Sequence, residues 1–234
     1  MKKIILFLMM FPFCSVKADQ AVDQEICALL SYGYGDNPEN ARRGYFDIAP
    51  YGYGNNCYVP TFTLDSLWSS IFKHESYVAD LQAVFNKSLK NKNFVAIGHS
   101  RGAEMLIHFM GAHNPEKLEA VVLMATPVSV GAVVKGKFFG NPKKVPEKTL
   151  KSIKKIKNKN LPIILFHQQN DQLITLAHSK CLLKAFRAQG FKNISLIVLN
   201  SGGHNDIMDN YGYKSLQAFY KEYKLPYDAL VLQS

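Results

Sequence analysis

The residues best suited to covalent chemistry in this 234-residue chain form the run Gly98-His99-Ser100-Arg101-Gly102. A nucleophilic serine must project from a tight turn, and a glycine two positions away on each side lets the backbone turn without a clash. An apolar run precedes the five residues and a helical pattern follows them, which is the setting that such a serine requires. The sequence therefore predicts that Ser100 is a nucleophile on a strand-to-helix turn.

A serine hydroxyl needs a base within hydrogen-bond reach, and the base needs an acid that orients it. His204 lies five residues after the last predicted strand, in LNSGGHND, and Asp171 lies five residues after the strand before it, in FHQQNDQLI. Both residues follow the carboxyl ends of strands, where open parallel sheets place their sites. We predict that His204 is the general base and that Asp171 is the acid.

Other residues compete for these two roles. Asp206 is the rival acid, but a residue two positions beyond the base is poorly placed to reach the same ring, so Asp206 is expected to cap the next turn or helix together with Asn205. The remaining six histidines are interpreted as ordinary surface or core residues. They are His74, His99, His108, His113, His167 and His178.

An acyl-transfer site also needs N–H donors that face the developing oxyanion. The backbone N–H of Arg101, directly after the nucleophile, is one predicted donor. The second donor is expected from the loop SYGYGDN at residues 31–37, where glycines allow the amides to turn inward. Tyr34 is the predicted donor in that loop, and Gly35 is the alternative.

Elements that alternate between strand and helix must position these residues. Continuous apolar runs are typical of strands buried on both faces, and their alternation with helical patterns predicts an α/β fold with a mostly parallel sheet of about six strands flanked by helices. The six runs occupy residues 26–31, 45–49, 94–98, 120–124, 162–166 and 195–199. The helices are marked by Tyr77, Leu81, Val84, Phe85 and Leu89, by Met105, Leu106, Phe109 and Met110, by Leu182, Leu183 and Phe186 before Gly190, and by residues 216–223.

The first 18 residues have the features of a signal peptide. Lys2 and Lys3 precede an apolar stretch, and residues 16–18 resemble a small-residue cleavage site. We therefore expect a protein that is secreted or periplasmic after cleavage. Residues 19–234 are expected to form one globular domain, because 47% of the chain is hydrophobic and 20% is charged.

A basic segment lies within residues 128–160, between two predicted strands. Ten lysines and a single acidic residue, Glu147, occupy residues 135–159. A helix opened by Pro146 and Glu147 would place Leu150, Ile153 and Ile156 in one apolar line with the lysines opposite. Such a helix suits an anionic membrane surface or an acidic substrate, or else it is a solvated helix packed by its apolar edge.

With these residues identified, the chain resembles the α/β-hydrolase superfamily over essentially all of residues 19–234. GYFDIAPYGYG at residues 44–54 looks like the superfamily's fourth-strand segment, and MATP at residues 124–127 looks like the end of its sixth strand. SGGHNDI is similar to the histidine loop of prolyl-oligopeptidase-like esterases and depalmitoylating thioesterases. Tyr32-Gly33 stands where many members have His-Gly, and the short amino-terminal part makes the chain similar in extent to small lipases and cutinases. The superfamily inserts its lid where residues 128–160 lie, so the resemblance implies a short lid there.

The resemblance and the residues together predict a serine hydrolase that cleaves carboxylic esters or thioesters of a small or lipid-like acyl substrate. A peptidase or amidase with the same triad and a noncatalytic binding protein are the alternatives. No cofactor, metal or nucleic-acid partner is expected.

The sequence also predicts the positions of two cysteines and several tyrosines. Cys27 and Cys57 should lie toward opposite edges of the sheet and form no disulfide, and tyrosines should approach the pocket mouth. The tyrosines are Tyr32, Tyr34, Tyr51, Tyr53 and Tyr58.

Overall fold

The computed structural model describes residues 27–32, 57–58, 74–129, 141–200 and 202–204. Within these ranges the chain forms one six-stranded sheet in which every neighbouring pair of strands is parallel. Its strand order is β2-β1-β3-β4-β5-β6. The strands are β1 (Cys27–Ser31), β2 (Cys57–Tyr58), β3 (Phe94–His99), β4 (Leu118–Met124), β5 (Ile163–Gln168) and β6 (Ile194–Leu199).

Four α-helices flank the sheet in the described part of the chain. They are α1 (His74–Val84), α2 (Arg101–His113), α3 (Glu147–Lys155) and α4 (Leu176–Ala188). A π-helical turn, Phe85–Leu89, continues α1. This arrangement confirms the predicted α/β fold with a parallel sheet covered by helices.

The core lies between the helices and the central strands. Every residue of β1, β3 and β5 is buried, as expected for parallel strands covered on both faces. The crossover helix α1 and its π-helical turn bury Tyr77, Leu81, Phe85 and Leu89, four of the five residues whose spacing predicts this helix. The Phe85 ring lies 5.7 Å from the ring of Phe94 and 5.7 Å from the ring of Phe109, which ties α1 to β3 and α2.

Five predicted strands match observed strands to within two residues at each end. The two-residue β2 was not expected, and the predicted strand at residues 45–49 and helix at residues 216–223 lie outside the described residues. The prediction that Cys27 and Cys57 lie toward opposite edges is wrong. Cys57 pairs with Ala28, the neighbour of Cys27, because β2 forms later in the chain than the strand that the prediction used.

Helix α3 forms where the lysine-rich segment predicts a helix, and it packs on α2. The fit is close, because a Cβ added to Gly111 would lie 2.4 Å from the carbonyl oxygen of Ser152. Ile153 is fully buried on this side of α3. Gly111 lies about 16 Å along α2 from Ser100, at a rise of ~1.5 Å per residue, so α3 covers the far end of α2.

No helix within the described ranges has both the length and the apolar character that spanning a membrane requires. The predicted signal peptide lies outside these ranges, as do residues 130–140 of the predicted lid.

Candidate active site

Ser100 stands on a strained turn between β3 and α2. Its backbone has φ 53° and ψ −125°, a conformation that an L residue rarely adopts and that lifts the side chain out of the strand. The two flanking glycines are required by packing. A Cβ on Gly98 would lie 2.6 Å from the Cα atom of Ala103, and one on Gly102 would lie 2.2 Å from the carbonyl oxygen of Ser31.

Hydrogen bonds fix this turn to the neighbouring strands. The Ser100 N–H donates to the carbonyl of Met124 at the end of β4, with N···O 2.8 Å. The Ser31 hydroxyl at the end of β1 donates to the carbonyl of Gly102, with O···O 3.0 Å. Because β1 and β3 are the strands at which the sheet order reverses, Ser100 lies at the position where open parallel sheets form their crevice.

His204 contacts both Ser100 and Asp171. Its Nδ1 lies 2.7 Å from Oδ2 of Asp171, and its Nε2 lies 2.9 Å from Oγ of Ser100. A carboxylate only accepts hydrogen bonds, so Nδ1 carries the proton and Nε2 of the neutral ring accepts the serine hydroxyl. The structure thus brings together three residues that lie up to 104 positions apart in the chain.

Asp171 is buried and is fixed by the turn that it starts. Its Oδ1 accepts the N–H groups of Leu173 and Ile174 at 2.9 and 2.8 Å, which leaves Oδ2 directed at His204. Burial alone raises the pKa of Asp171, but the hydrogen bond and charge of His204, the Ile174 amide and nearby His167 outweigh it and hold the pKa below its ordinary value. The carboxylate is therefore ionised at neutral pH.

Two histidines that the sequence interpretation treated as ordinary residues lie beside this trio. His167 is fully buried, donates from Nε2 to the Ile174 carbonyl at 2.6 Å, and has Nδ1 2.7 Å from the Ser179 hydroxyl. It therefore supports the turn that carries Asp171. His99 contacts the backbone of His204. The only sequence signals of these roles are that His167 lies four residues before Asp171 and that His99 lies directly before Ser100.

Other histidines with described side chains have structural contacts away from Ser100. Nδ1 of His108 lies 2.8 Å from the Ser152 hydroxyl, and Nδ1 of His178 accepts the Val128 N–H at 3.1 Å. The His113 ring lies 5.3 Å from the ring of Phe109. The rival acid, Asp206, lies outside the described residues.

Of the predicted oxyanion donors, the structure describes Arg101 but not Tyr34. Arg101 is the first residue of α2, so its amide belongs to the positive end of the helix dipole beside Ser100. Its guanidinium carbon lies 5.5 Å from the centre of the Tyr77 ring, and the side chain is buried. Only the backbone of Arg101 therefore suits the predicted role. Tyr34 and the alternative, Gly35, lie outside the described residues.

The described start of the oxyanion loop is firmly held. The Tyr77 hydroxyl donates to the Tyr32 carbonyl at 2.7 Å and lies 3.1 Å from the Ser31 hydroxyl oxygen. Tyr32 itself is buried in the core. Burial is the main reason that the pKa of Tyr77 is raised, so this hydroxyl stays protonated and able to donate.

The predicted place of Tyr58 near the pocket mouth is wrong. Its hydroxyl accepts a hydrogen bond from Nζ of Lys92 at 3.2 Å, and Lys92 lies before β3. Tyr58 is therefore directed to the amino end of the sheet, opposite the edge that carries Ser100. The sequence prediction placed it on a loop because a two-residue strand leaves no periodic signal. Tyr34, Tyr51 and Tyr53 lie outside the described residues.

The chain is similar in fold to several solved hydrolases. It is 14% identical to a structure described with the metagenome-derived lipolytic enzymes LipS and LipT, with a TM-score of 0.64 over 86% of this chain and 94% of that one. The Pyrococcus furiosus esterase Pf2001 is 16% identical, with a TM-score of 0.64 over 85% and 83% of the two chains. Est1E from Butyrivibrio proteoclasticus is 12% identical, with a TM-score of 0.57 over 86% and 89%.

No curated protein sequence matches the chain significantly. The profile of one protein family, described as Serine hydrolase, matches residues 68–222, well over half of the chain. That range includes the strand-to-helix turn of Ser100 together with Asp171 and His204. The chain belongs to the Serine hydrolase family, within the α/β-hydrolase superfamily.

Proposed function

We propose that this serine hydrolase cleaves carboxylic esters or thioesters through a Ser100-His204-Asp171 triad and an acyl-enzyme intermediate. One observation carries the proposal, namely the continuous hydrogen-bond chain from Oγ of Ser100 to Nε2 of His204, 2.9 Å, and from Nδ1 of His204 to Oδ2 of Asp171, 2.7 Å. These distances are within the reach that proton transfer between a nucleophile and its base requires.

In the first half of the reaction, Oγ of Ser100 attacks the carbonyl carbon of the substrate while Nε2 of His204 takes the hydroxyl proton. The proposed donors to the oxyanion that forms are the Arg101 amide and the predicted second amide, that of Tyr34 or of the alternative Gly35. The intermediate then collapses, the bond to the leaving alcohol or thiol breaks, and His204 gives its proton to that group. An ester between the acyl group and Ser100 remains.

In the second half, a water molecule attacks the acyl carbon and His204 takes a proton from it. The bond to Oγ breaks, Ser100 regains a proton from His204, and the carboxylic acid leaves. Throughout, ionised Asp171 holds the ring in the tautomer with Nδ1–H and stabilises the transient imidazolium. The chain's own residues supply every proton transfer in this cycle.

Support for esters over amides comes from the descriptions of the solved structures that share this fold. The solved structures named above are described as lipolytic enzymes or esterases, and the TM-scores with them reach 0.64. Thioesters share the acyl chemistry of esters, because an alcohol or thiol leaves far more readily than an amine, whose nitrogen must be protonated before the C–N bond breaks. A small or lipid-like acyl substrate is therefore the substrate class that we propose.

A matched substrate panel tests the proposal. The butyryl group would be offered as a p-nitrophenyl ester, a thioester and an anilide, with Ser100→Ala as the control. We expect turnover of the ester and thioester by the wild type and background rates for the variant. Faster turnover of the anilide would identify an amidase, and binding of the substrates without turnover by the folded wild type would favour the noncatalytic alternative.

A further inference from the structure

His99 joins the strand that carries the nucleophile to the backbone of the base. His99 is 5% exposed and is the last residue of β3, directly before Ser100. Its Nε2 is 2.9 Å from the carbonyl oxygen of His204, and the centres of the two rings are 4.8 Å apart. Because a carbonyl oxygen only accepts, Nε2 of His99 must carry the proton and donate it.

The hydrogen bond from His99 fixes the backbone position of His204, which the bonds to Ser100 and Asp171 do not fix. The ring of His204 has two bonds, to Ser100 and to Asp171, and both act on the side chain. Neither bond fixes the backbone of His204, which lies on a loop five residues after β6. The bond from His99 ties that backbone to the strand end that positions Ser100, so the nucleophile and the base move together.

The charge state of His99 suits this role. Burial, with a smaller contribution from nearby His204, lowers the pKa of His99 to about 4, against the opposing effects of the carbonyl bond and of Asp171. Among the residues that the structure describes, His167 is the third titratable group that acts on His99, and its effect also lowers the pKa. At neutral pH the ring therefore has a single N–H, and it adds no positive charge beside the imidazolium that His204 becomes during the reaction.

We propose that His99 is a positioning residue that holds the backbone of His204 in line with Ser100 and Asp171 by donating Nε2–H to the His204 carbonyl. This inference rests on the proposed hydrolase function, because it assigns His99 a part in orienting the base of that reaction. The same proposal explains why a histidine can be buried here, since its single N–H finds an acceptor.

Two amide variants test the proposal, His99→Gln and His99→Asn. The longer Gln side chain places an N–H₂ group near the position of Nε2, whereas the shorter Asn amide reaches only the position of Nδ1. With p-nitrophenyl butyrate we expect kcat of the Asn variant to fall roughly 10- to 100-fold and KM to stay within about threefold, because a misplaced base slows the chemical step. We expect the Gln variant to keep kcat within about threefold of the wild type.

Circular dichroism melting of the three proteins separates positioning from folding. Equal kcat for the wild type and the Asn variant would overturn the proposal, and so would an equal loss in both variants, because a lost packing contact would then explain the result. Hydrolysis by the wild type is measured in the same series. A wild type that hydrolyses none of the panel would refute the proposed function, which is a result distinct from either of these.

Nitrogen NMR of the unaltered protein gives a second measurement that does not depend on the folding of variants. The ¹⁵N shifts and couplings of the His99 ring at neutral pH should show a neutral ring with its proton on Nε2. A neutral ring with its proton on Nδ1 would overturn the proposal directly, because no N–H would then be directed at the carbonyl oxygen of His204.

Discussion

At the scale of single residues, the site depends on which hydrogen-bonding atom faces which partner. Asp171 uses Oδ1 for its own turn and Oδ2 for His204, so one carboxylate both closes a loop and orients a ring. That Ser100, Asp171 and His204 lie close together could be predicted from the sequence, because each residue follows the carboxyl end of a strand. The contacts of His99 and His167 could not be predicted, because a histidine in an apolar segment gives the same pattern in the core and beside a site.

Replacing Asp171 with Asn should leave the fold intact and slow the reaction. The Asn carbonyl can still accept the Leu173 and Ile174 amides, but an amide N–H₂ facing His204 favours the wrong tautomer of the ring. We expect kcat to fall roughly 10³- to 10⁴-fold with little change in melting temperature. Steady-state kinetics and thermal melting would check this, and an Asn variant with near wild-type kcat would show that Asp171 does not orient the base.

The buried, neutral state of His99 predicts a pH dependence of stability. Its pKa in the folded protein, about 4, lies below the ordinary value of 6.5, so in this interval the unfolded chain binds a proton that the folded protein does not. Stability from this group is therefore complete above pH 6.5 and is lost as the pH falls toward 4. The titration of Asp171, whose pKa is lowered, begins to matter only below this interval.

The variant His99→Gln lacks this titration. Between about pH 7 and pH 4.5, its free energy of unfolding should fall by roughly 2 to 3 kcal/mol less than that of the wild type. Urea unfolding at the two pH values measures the difference. Identical acid sensitivity of the two proteins would mean that His99 is not held neutral by burial.

At the scale of elements, the strand order brings the ends of β1, β3 and β5 to one edge of the sheet. The central strands could be predicted because they are continuous apolar runs between turns. The two residues of β2 could not, since so short a strand leaves no pattern, and the expected position of Cys57 was wrong for the same reason. The packing of α3 on α2 could not be predicted either, because a line of apolar residues on a helix does not show which element it packs against.

The contact of β1 with the first turn of α2 predicts that two variants of α2 with similar losses of stability differ in kcat. Gly102→Ala would place a Cβ 2.2 Å from the Ser31 carbonyl oxygen, and Gly111→Ala would place one 2.4 Å from that of Ser152. Both clashes involve backbone, so each should destabilise the protein by about 1 to 3 kcal/mol. Only the Gly102 variant disturbs the turn of Ser100, so we expect its kcat to fall well below that of the Gly111 variant.

Melting temperatures and esterase kinetics of these two variants provide the comparison. Because both glycines lie on α2, each variant is the control for the other. A similar loss of kcat in both would indicate that activity follows overall stability, and that the close contact between Ser31 and Gly102 has no particular effect on the site.

At the scale of the whole molecule, the lysine-rich helix α3 exposes positive charge, whereas its apolar side chains are packed against the rest of the protein. Ile153 and Ile156 are buried, and the lysines of α3 face outward. We propose that this face contacts anionic surfaces through charge alone, because its apolar side already packs in the core and cannot enter a bilayer. Binding to such surfaces should then weaken as salt screens the lysines.

Charge reversal of four exposed lysines tests this proposal. We expect cosedimentation with phosphatidylserine vesicles at low salt by the wild type and a loss of binding in the quadruple Lys→Glu variant. A second quadruple variant, with exposed lysines reversed elsewhere, has the same net charge and should still bind. The first set is the four exposed lysines of α3, Lys148, Lys151, Lys154 and Lys155, and the control set is Lys87, Lys90, Lys184 and Lys192. Equal binding by the two variants would reject a specific role for the α3 face.

We propose that Ser100 is the nucleophile of a working triad, and covalent labelling of the protein would establish or refute this claim. The purified protein would be treated with a fluorophosphonate probe, and the adduct would be mapped by peptide mass spectrometry beside Ser100→Ala. We predict one adduct, on Ser100, that is absent from the variant and forms more slowly in Asp171→Asn. An adduct on another residue, or no adduct on the folded protein, would contradict the claim.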